Sequence, residues 1–216
     1  LTWVVWSLDG AQVPSHTRVV VQPLINEDGY AQWKDKTAFR QRLVRVLRQA
    51  TKVASLTHQG PDARFLESEH ISFVSIPNAT DLVTSTTDFR GSYGFEQRRP
   101  LVVHVGNLWR VKNQHGLIRS FRHSSLDVQI ALIGNPSGDK VYESTVRGEV
   151  AADPRFTLLP GLYGEKVAAA MKAADVVVLP SLGEVFPVSL LETMSLGKVW
   201  LATPQCGAAN ELAGGI

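Results

Sequence analysis

The stretch LPSLGEVFPVSLLETMSLGK, residues 179–198, joins a strand end, a loop with an acid and a short apolar helix with a second acid. Glu184 stands before the predicted helix and Glu192 within it, eight positions later. Eight helical residues make slightly more than two turns, so the acids lie on similar sides but well apart along the axis. The helix start between them favours a phosphate. Two acids and an anion site suit the hydroxyl groups and phosphate of a nucleotide sugar.

Strands and helices alternate on both sides of this stretch, over residues 101–216. The predicted strands are 101–105, 128–133, 156–159, 176–179 and 198–202. The predicted helices are 113–123, 139–151, 164–173, 188–196 and one that begins at 208. Such alternation indicates parallel strands joined by right-handed crossovers. The pattern predicts a doubly wound α/β domain, which binds ligands at the carboxyl ends of its strands.

The first third of the chain shows a second alternation of the same kind. The predicted strands are 2–6, 18–22, 52–56 and 71–76, and the predicted helices are 35–50 and 61–67. Residues 79–100 are rich in Thr, Ser, Gly and Arg without a sustained apolar period, which is typical of a connection. We therefore predict domains at 1–79 and 101–216, with a connecting segment at 80–100.

Composition limits the class of protein. The chain has 216 residues, of which 44% are hydrophobic, so it can form an ample core. Its net charge of +2 gives no reason to expect a nucleic-acid partner, and we predict none. A single cysteine, Cys206, fits a reducing compartment, so we expect a cytoplasmic protein. The chain lacks an initiator Met and ends abruptly at 214–216. We therefore expect a fragment in which the N-terminal domain is incomplete and the C-terminal domain truncated.

The predicted helix 35–50 is amphipathic, with apolar residues on one face. Its other positions carry Arg40, Arg42, Arg45 and Arg48. Our first interpretation is a solvated face. The alternative is peripheral contact with anionic lipid, at the inner face of a membrane.

Five ordered segments carry a family resemblance. They are 73–80 (FVSIPNAT), 101–113 (LVVHVGNLWRVKN), 130–134 (IALIG), 173–181 (AADVVVLPS) and the opening stretch. These resemble the hIPNGxD, VGRLxxxKG, LxIVGxG, ADVFVLPS and E-x7-E motifs of glycosyltransferase family 4. The resemblance covers residue 51 to the C-terminus. It implies the GT-B fold, with two Rossmann-like domains, and sugar transfer from a nucleoside diphosphate with retention of anomeric configuration.

The turn after the strand 101–105 carries the residues that the resemblance assigns to the diphosphate. Lys112 matches the family lysine that stabilises the leaving group. The family arginine falls at Asn107, which is a departure, and we expect Arg110 to substitute for it. Two cations could stabilise the departing diphosphate without a metal. Gly106 would let the backbone approach a phosphate closely, and Gly134 resembles the loop near the nucleobase.

The opening stretch carries the residues assigned to the sugar and the ribose. The resemblance gives Glu184 the hydroxyls of the transferred sugar and Glu192 those of the ribose. Pro187, which stands where the family often has glycine, lacks an N–H and is expected at the first helical position. We therefore expect the N–H groups to come from the three residues Phe186, Ser189 and Leu190.

Other residues give weaker indications. Cys206 is interpreted as a small buried residue rather than a nucleophile. The six histidines show no metal-ligand spacing, so we predict no bound metal and no cofactor. Asp9 is a weak candidate near an acceptor.

The predicted partners are a UDP-, GDP- or ADP-linked sugar and a saccharide or glycolipid acceptor of the cell envelope. Two alternatives stay open: a sugar-nucleotide epimerase, and a non-catalytic module that binds nucleotide sugars or a partner.

Overall fold

The computed structural model describes residues 16–25, 37–81 and 84–213, which form two compact units. The described residues of the first unit are those up to Asn78, the segment Gly183–Phe186 and those from Gly207 onward. The second unit comprises Ala79–Leu182 and Pro187–Cys206, apart from the gap at 82–83. The predicted strand 2–6, the candidate Asp9 and the start of the helix predicted at 35 lie outside the described residues.

The described residues of the first unit form a parallel three-stranded sheet and three helices. Its elements are β1 (Val20–Val21), α1 (Thr37–Gln49), β2 (Lys52–Ser55), α2 (Pro61–Ser68), β3 (Val74–Ser75) and, at the far end of the chain, α8 (Ala209–Leu212). The strands stand in the order β1-β2-β3. Leu43 and Leu47 of α1 pack with Phe65 and Leu66 of α2 into one core. The predicted parallel α/β arrangement is confirmed here, although the strand predicted at 71–76 shortens to two residues.

Helix α1 has the predicted apolar face, but its arginines are not all solvated. Arg40 Nε lies 2.5 Å from Glu69 Oε1, and Arg48 Nη2 donates to the Glu69 carbonyl at 3.2 Å. Two of the four arginines therefore anchor α1 to the end of α2. None of the helices within residues 16–25, 37–81 and 84–213 combines the length and the apolar character that a membrane-spanning helix needs.

The second unit is built on a five-stranded parallel sheet. Its elements are α3 (Phe89–Tyr93), β4 (Leu101–Val105), α4 (Gln114–Phe121), β5 (Gln129–Ile133), α5 (Lys140–Ala151), β6 (Phe156–Leu159), α6 (Glu165–Ala173), β7 (Val176–Leu179), α7 (Val188–Ser195) and β8 (Val199–Ala202). The strand order is β6-β5-β4-β7-β8. From β4 the chain proceeds to β5 and β6 on one side of the sheet, and from β7 it proceeds to β8 on the other side. The order of the strands therefore reverses between β4 and β7. Doubly wound sheets bind ligands in the crevice at such a point.

The pattern of burial explains the sheet. All five residues of β5 are buried, as expected of a central parallel strand covered on both faces. Strand β7 alternates between half-buried and buried residues. Leu117 and Ile118 of α4 pack on Ile130 and Leu132 of β5. The predicted α/β fold with parallel sheets is confirmed, with bounds that match the sequence pattern to within a few residues.

The segment predicted as a connection packs within the second unit. Its short helix α3 buries Phe89, whose ring stacks on Phe95 at 5.6 Å. Arg90 donates to the carbonyls of Glu96 and Arg99 and to the Asp175 carboxylate. A few isolated residues anchor this segment, and such residues produce no repeating apolar period. The sequence pattern therefore indicated a linker. The compact units thus differ from the predicted domain boundaries in this segment, at 183–186 and from Gly207 onward, where the chain belongs to the first unit.

Candidate functional site

Two loops interlock at the carboxyl edge of the five-stranded sheet, one after β4 and one after β5. The amide of Gly106 donates to Ile133 O at 2.8 Å, and that of Leu108 donates to Asn135 O at 2.8 Å. In return, the Asn135 amide donates to Asn107 Oδ1 at 3.2 Å. The Asn107 side chain, where the family has arginine, is therefore used to join the loops.

Gly134 is the point of closest approach between these loops. A Cβ at Gly134 would lie 1.9 Å from the carbonyl oxygen of Gly106 and 3.0 Å from the Asn107 nitrogen. Both obstacles are backbone atoms, which cannot rotate away. The glycine predicted to lie near a nucleobase thus has a packing role that the sequence did not reveal.

A buried glutamine supports the turn after β4 from below. Gln114 Nε2 donates to the carbonyls of Gly106 at 3.0 Å and Asn107 at 2.9 Å. Gln114 Oε1 accepts from the hydroxyl of Tyr142 at 3.0 Å. Burial raises the pKa of Tyr142, so its hydroxyl stays protonated and can donate. Sequence reasoning missed both residues, since neither belongs to a motif.

Lys112 ends a single turn of 3₁₀ helix, Arg110–Lys112, in the same loop. Its aliphatic carbons cover Gly106: a Cβ there would lie 3.1 Å from Lys112 Cδ and 3.2 Å from Cγ. Gly106 therefore makes room for the lysine stem. We call residues 106–112 the lysine turn. The amide of Leu182 donates to Val111 O at 2.7 Å, and this hydrogen bond connects the lysine turn to the loop after β7.

Asn113 redirects the chain from the lysine turn into α4. It adopts the left-handed conformation with φ 55°, and its Oδ1 accepts from the Gly116 amide at 3.2 Å. Its Nδ2 donates to Pro180 O at 3.0 Å, which is a second tie to the loop after β7. Asparagine tolerates this conformation better than most residues, so the position after Lys112 has a clear structural function.

Arg110 points to the start of α5. Its Nε donates to Asp139 Oδ2 at 2.7 Å, and its guanidinium lies 5.5 Å from the centre of the Tyr142 ring. The Tyr142 amide and then the Arg110 guanidinium lower the pKa of Asp139. Arg110 therefore lies in an exposed ion pair with Asp139. To contact a diphosphate, as predicted, it must either keep this ion pair or break it.

Glu192 faces a cavity of about 250 Å³ within the second unit. The lining residues include Asp81, Val105, Leu162, Tyr163, Gly164 and Ser195. Burial raises the pKa of the Glu192 carboxyl, and in the part of the chain described here no group donates to it. A half-buried carboxylate without donors is suited to accept hydrogen bonds from a ligand diol.

Helix α7 begins at Val188, as predicted for the helix 188–196, but Pro187 does not take the first helical position that was expected for it. Pro187 is the N-cap, in an extended conformation, and Val188 is the first helical residue. The Leu190 amide donates to Pro187 O at 3.1 Å, so this predicted ligand donor is already engaged. Of the two donors predicted within α7, Ser189 is the one whose amide is not used in this turn.

Glu184 and Phe186 belong to the first unit, where two residues hold their turn. Asn78 Nδ2 donates to Phe186 O at 2.9 Å, and the Gly207 amide donates to Glu184 O at 2.9 Å. A Cβ at Gly207 would lie 3.0 Å from the carbonyl oxygens of both Glu184 and Val185. The conformation of the Glu184 turn thus depends on chain segments far away in sequence.

The loop after β8 contains the cysteine. The Thr203 amide donates to Leu179 O at 3.1 Å, and the Cys206 amide donates to Thr203 O at 3.0 Å. Cys206 is 1% exposed, with its Sγ near Leu179 O, which confirms the expected buried residue. Among residues 16–25, 37–81 and 84–213, no three His, Cys, Asp or Glu side chains are grouped as metal ligands would be.

The family follows from comparison with known proteins. The model of the family described as "Glycosyl transferases group 1" matches residues 85–215, which is more than half of the chain. The chain belongs to the group 1 family of glycosyl transferases.

Sequence relatives with curated names match part of the chain. The D-inositol 3-phosphate glycosyltransferase of Pseudarthrobacter chlorophenolicus is 28% identical over 146 residues, which cover 63% of this chain and 35% of the relative. A protein of the same name from Mycobacteroides abscessus is 30% identical over 124 residues, 56% of this chain and 27% of the relative. The chain thus spans about a third of the length of the curated relatives that it matches.

Solved structures share the fold. The sucrose-phosphate synthase from Thermosynechococcus elongatus superposes with a TM-score of 0.75 at 20% identity, over 96% of this chain and 55% of that one. Anabaena Alr3699/HepE in complex with UDP-glucose superposes with a TM-score of 0.74 at 21% identity, over 90% of this chain and 55% of that one. These likenesses establish an α/β fold with parallel sheets of the kind found in GT-B glycosyltransferases.

Proposed function

We propose that this chain forms the donor-binding part of a retaining glycosyltransferase, which transfers a sugar from a nucleoside diphosphate to a saccharide or lipid-linked acceptor. The observation that carries the proposal is the pairing, within one unit, of the Lys112 turn and the cavity lined by Glu192. Both lie at the carboxyl edge of the sheet, where doubly wound folds bind nucleotides.

The chemistry of the lysine turn suits a diphosphate. Lys112 supplies a positive charge on a turn whose carbonyls of Gly106 and Asn107 are both already bonded to Gln114. A fixed cation stabilises charge that develops on a leaving group without reorganisation during the reaction. In this proposal Lys112 neutralises the departing diphosphate, Arg110 assists, and no metal is required.

The chemistry of the cavity suits a ribose. The Glu192 carboxylate accepts hydrogen bonds from two vicinal hydroxyls, and these bonds offset the burial that raises its pKa. Val105 and Leu162 supply apolar contacts beside it. Glu184, carried by the first unit, is assigned to the transferred sugar on the strength of the family motif.

The nucleoside is proposed to be uridine. The support comes from a solved complex: the similar Anabaena structure contains UDP-glucose. The acceptor class stays as predicted from the sequence, a saccharide or glycolipid of the cell envelope. Contact of the basic helix α1 with an anionic membrane surface, from the cytoplasmic side, is part of the same proposal.

Calorimetric titration of the chain with UDP, GDP and ADP, free and sugar-linked, tests the donor site. We expect saturable binding of UDP that a chelator leaves unchanged. Glu192→Ala should weaken it by about tenfold or more, since hydrogen bonds to a charged group contribute about 1.5–3 kcal/mol. Glu67→Ala, which removes an exposed acid in α2, is the matched control.

The other readings correspond to other outcomes. A folded sample that binds no nucleotide refutes the donor site and favours a non-catalytic module that binds a partner. Interconversion of nucleotide sugars without an acceptor identifies an epimerase. Where transfer occurs, the anomeric proton coupling of the product decides whether configuration is retained.

A further inference from the structure

A histidine with one unused ring nitrogen lies directly beneath the lysine turn. His104 belongs to β4 and is fully buried. Its Nδ1 lies 3.0 Å from Val178 O on the neighbouring strand. Its Nε2 is also buried, and no group in the described part of the chain bonds to it. Buried polar atoms are nearly always paired, so this nitrogen requires an explanation.

The hydrogen bond to Val178 defines the tautomer. A carbonyl only accepts, so Nδ1 must carry the proton and Nε2 must carry the lone pair. Burial and then the Lys112 charge lower the pKa of His104 to about 4, against a hydrogen bond from Nδ1 that raises it. The ring is therefore neutral at physiological pH, and Nε2 is an acceptor that lacks a donor.

The acceptor faces the lysine. A Cβ built on Gly106 would lie 3.3 Å from His104 Nε2 and 3.1 Å from Lys112 Cδ, so both side chains border the same small space above Gly106. The ammonium of a lysine carries three donors and no acceptor. It is thus the complementary group for the unused lone pair.

We propose that His104 is a positioning residue for Lys112: the Lys112 ammonium donates a hydrogen bond to one water, that water donates to His104 Nε2, and this bridge holds the cation beside Gly106. Its effect on ligand binding rests on the proposed function, in which Lys112 contacts the diphosphate. The neutral ring contributes an oriented acceptor without adding charge. A protonated ring would instead repel the ammonium.

Three substitutions of His104 separate this role from ordinary packing. His104→Asn keeps a donor near the Nδ1 position for Val178 and deletes the acceptor beneath Lys112. His104→Gln places its amide near the Nε2 position and can restore the acceptor. His104→Phe preserves the ring shape and deletes both polar atoms, which provides a second deletion if the asparagine variant does not fold.

Nitrogen-15 NMR of the Lys112 ammonium, assigned with Lys112→Arg, tests the contact in the ligand-free chain. We expect the Lys112 signal to shift in His104→Asn and His104→Phe and to return toward its original position in His104→Gln. An unchanged signal in a folded deletion variant overturns the proposal, whatever the chain binds.

Titration with UDP tests the consequence. His104→Asn should weaken UDP binding about fivefold, as expected for loss of one orienting hydrogen bond, and His104→Gln should recover part of it. If the unsubstituted chain binds no nucleoside diphosphate, the proposed function fails while the NMR result still decides the contact. If Lys112→Ala weakens binding and folded His104→Asn does not, the positioning role is wrong and the donor site stands.

Discussion

The lysine turn after β4 and the turn that carries Glu184 are held by different means. The lysine turn is held by hydrogen bonds to the adjacent loop after β5 and to the side chain of Gln114. All of these bonds lie at one edge of the five-stranded sheet. The Glu184 turn is held by Asn78 and Gly207, from chain segments more than twenty positions before or after it. The two predicted ligand contacts therefore depend on different parts of the chain, and substitutions can separate them.

The largest effect is expected where the two loops meet. Gly134→Ala forces a Cβ against the Gly106 carbonyl, 1.9 Å away, so the backbone must move. We expect the free energy of unfolding to fall by more than about 3 kcal/mol. Gly148→Ala is the control, because nothing lies within 4 Å of its Cβ and it sits inside helix α5. Urea unfolding of both variants measures the two free energies of unfolding. Equal values for Gly134→Ala and Gly148→Ala would mean that the two loops are not tightly packed.

Acid should weaken the sheet beneath the lysine turn, because His104 is buried there in its neutral form. The pKa of His104 is lowered to about 4 in the folded chain, from 6.5, so below that upper value the unfolded chain binds a proton that the folded chain excludes. Stability is therefore complete above the unfolded pKa and is lost as pH falls toward the folded pKa. The total loss is about 3 kcal/mol, at 1.36 kcal/mol per unit of pKa shift.

Denaturant titrations across this pH range measure the loss. In His104→Phe the corresponding part of the pH dependence should disappear, because the substituted ring does not titrate. A variant with the slope of the unsubstituted chain would show that another group is responsible.

A smaller effect is expected from the support below the lysine turn. Tyr142→Phe deletes the hydroxyl that donates to Gln114 and keeps the ring. The same hydroxyl accepts from the His115 amide at 3.3 Å, so we expect a loss of about 2 kcal/mol, the usual net contribution of two hydrogen bonds. Thermal unfolding measures it, with Tyr93→Phe on α3 as the control. If UDP binds the chain, its affinity should also fall in Tyr142→Phe, since Gln114 would then be less firmly held.

The smallest effect on stability is expected at the Glu184 turn. Asn78→Ala removes one donor to Phe186 O and should cost about 0.5–1 kcal/mol. The Asn78→Ala variant distinguishes the two ligands. If Glu184 contacts the sugar, the affinity of this variant for a UDP-sugar should fall while its affinity for UDP is unchanged. Asn210→Ala, at an exposed position of α8, is the control. Equal losses for both ligands would contradict the assignment of Glu184 to the sugar.

Most of the second unit could be predicted from the sequence, because its strands are short apolar runs separated by amphipathic helices. The bounds of β4, β6 and β7 match the predictions. Segment 80–100 could not be predicted, since Phe89 and Arg90 hold it by contacts without any period. The site residues stay predictions; among them, Gly106 and Gly134 directly follow β4 and β5 at the carboxyl edge of the sheet.

The supports of the site were beyond sequence reasoning for a physical reason. Gln114 and Tyr142 act through contacts between helices, and such pairs leave no local pattern. His104 occupies an ordinary position in an apolar strand, and only its burial with an unused nitrogen distinguishes it. The pattern of residues 179–198 likewise does not reveal that Glu184 and Glu192 belong to different compact units.

The interlocked loops also bear on the binding of a diphosphate that we propose for this turn. The amides of Gly106 and Leu108 lie outside regular strands, yet both donate to backbone carbonyls at 2.8 Å. Their hydrogen–deuterium exchange should therefore be slow, like that of strand amides. A turn that is already ordered loses little conformational entropy when an anion arrives. Discrimination between ligands must then come from the surrounding side chains, because the turn itself cannot adapt its shape to each of them.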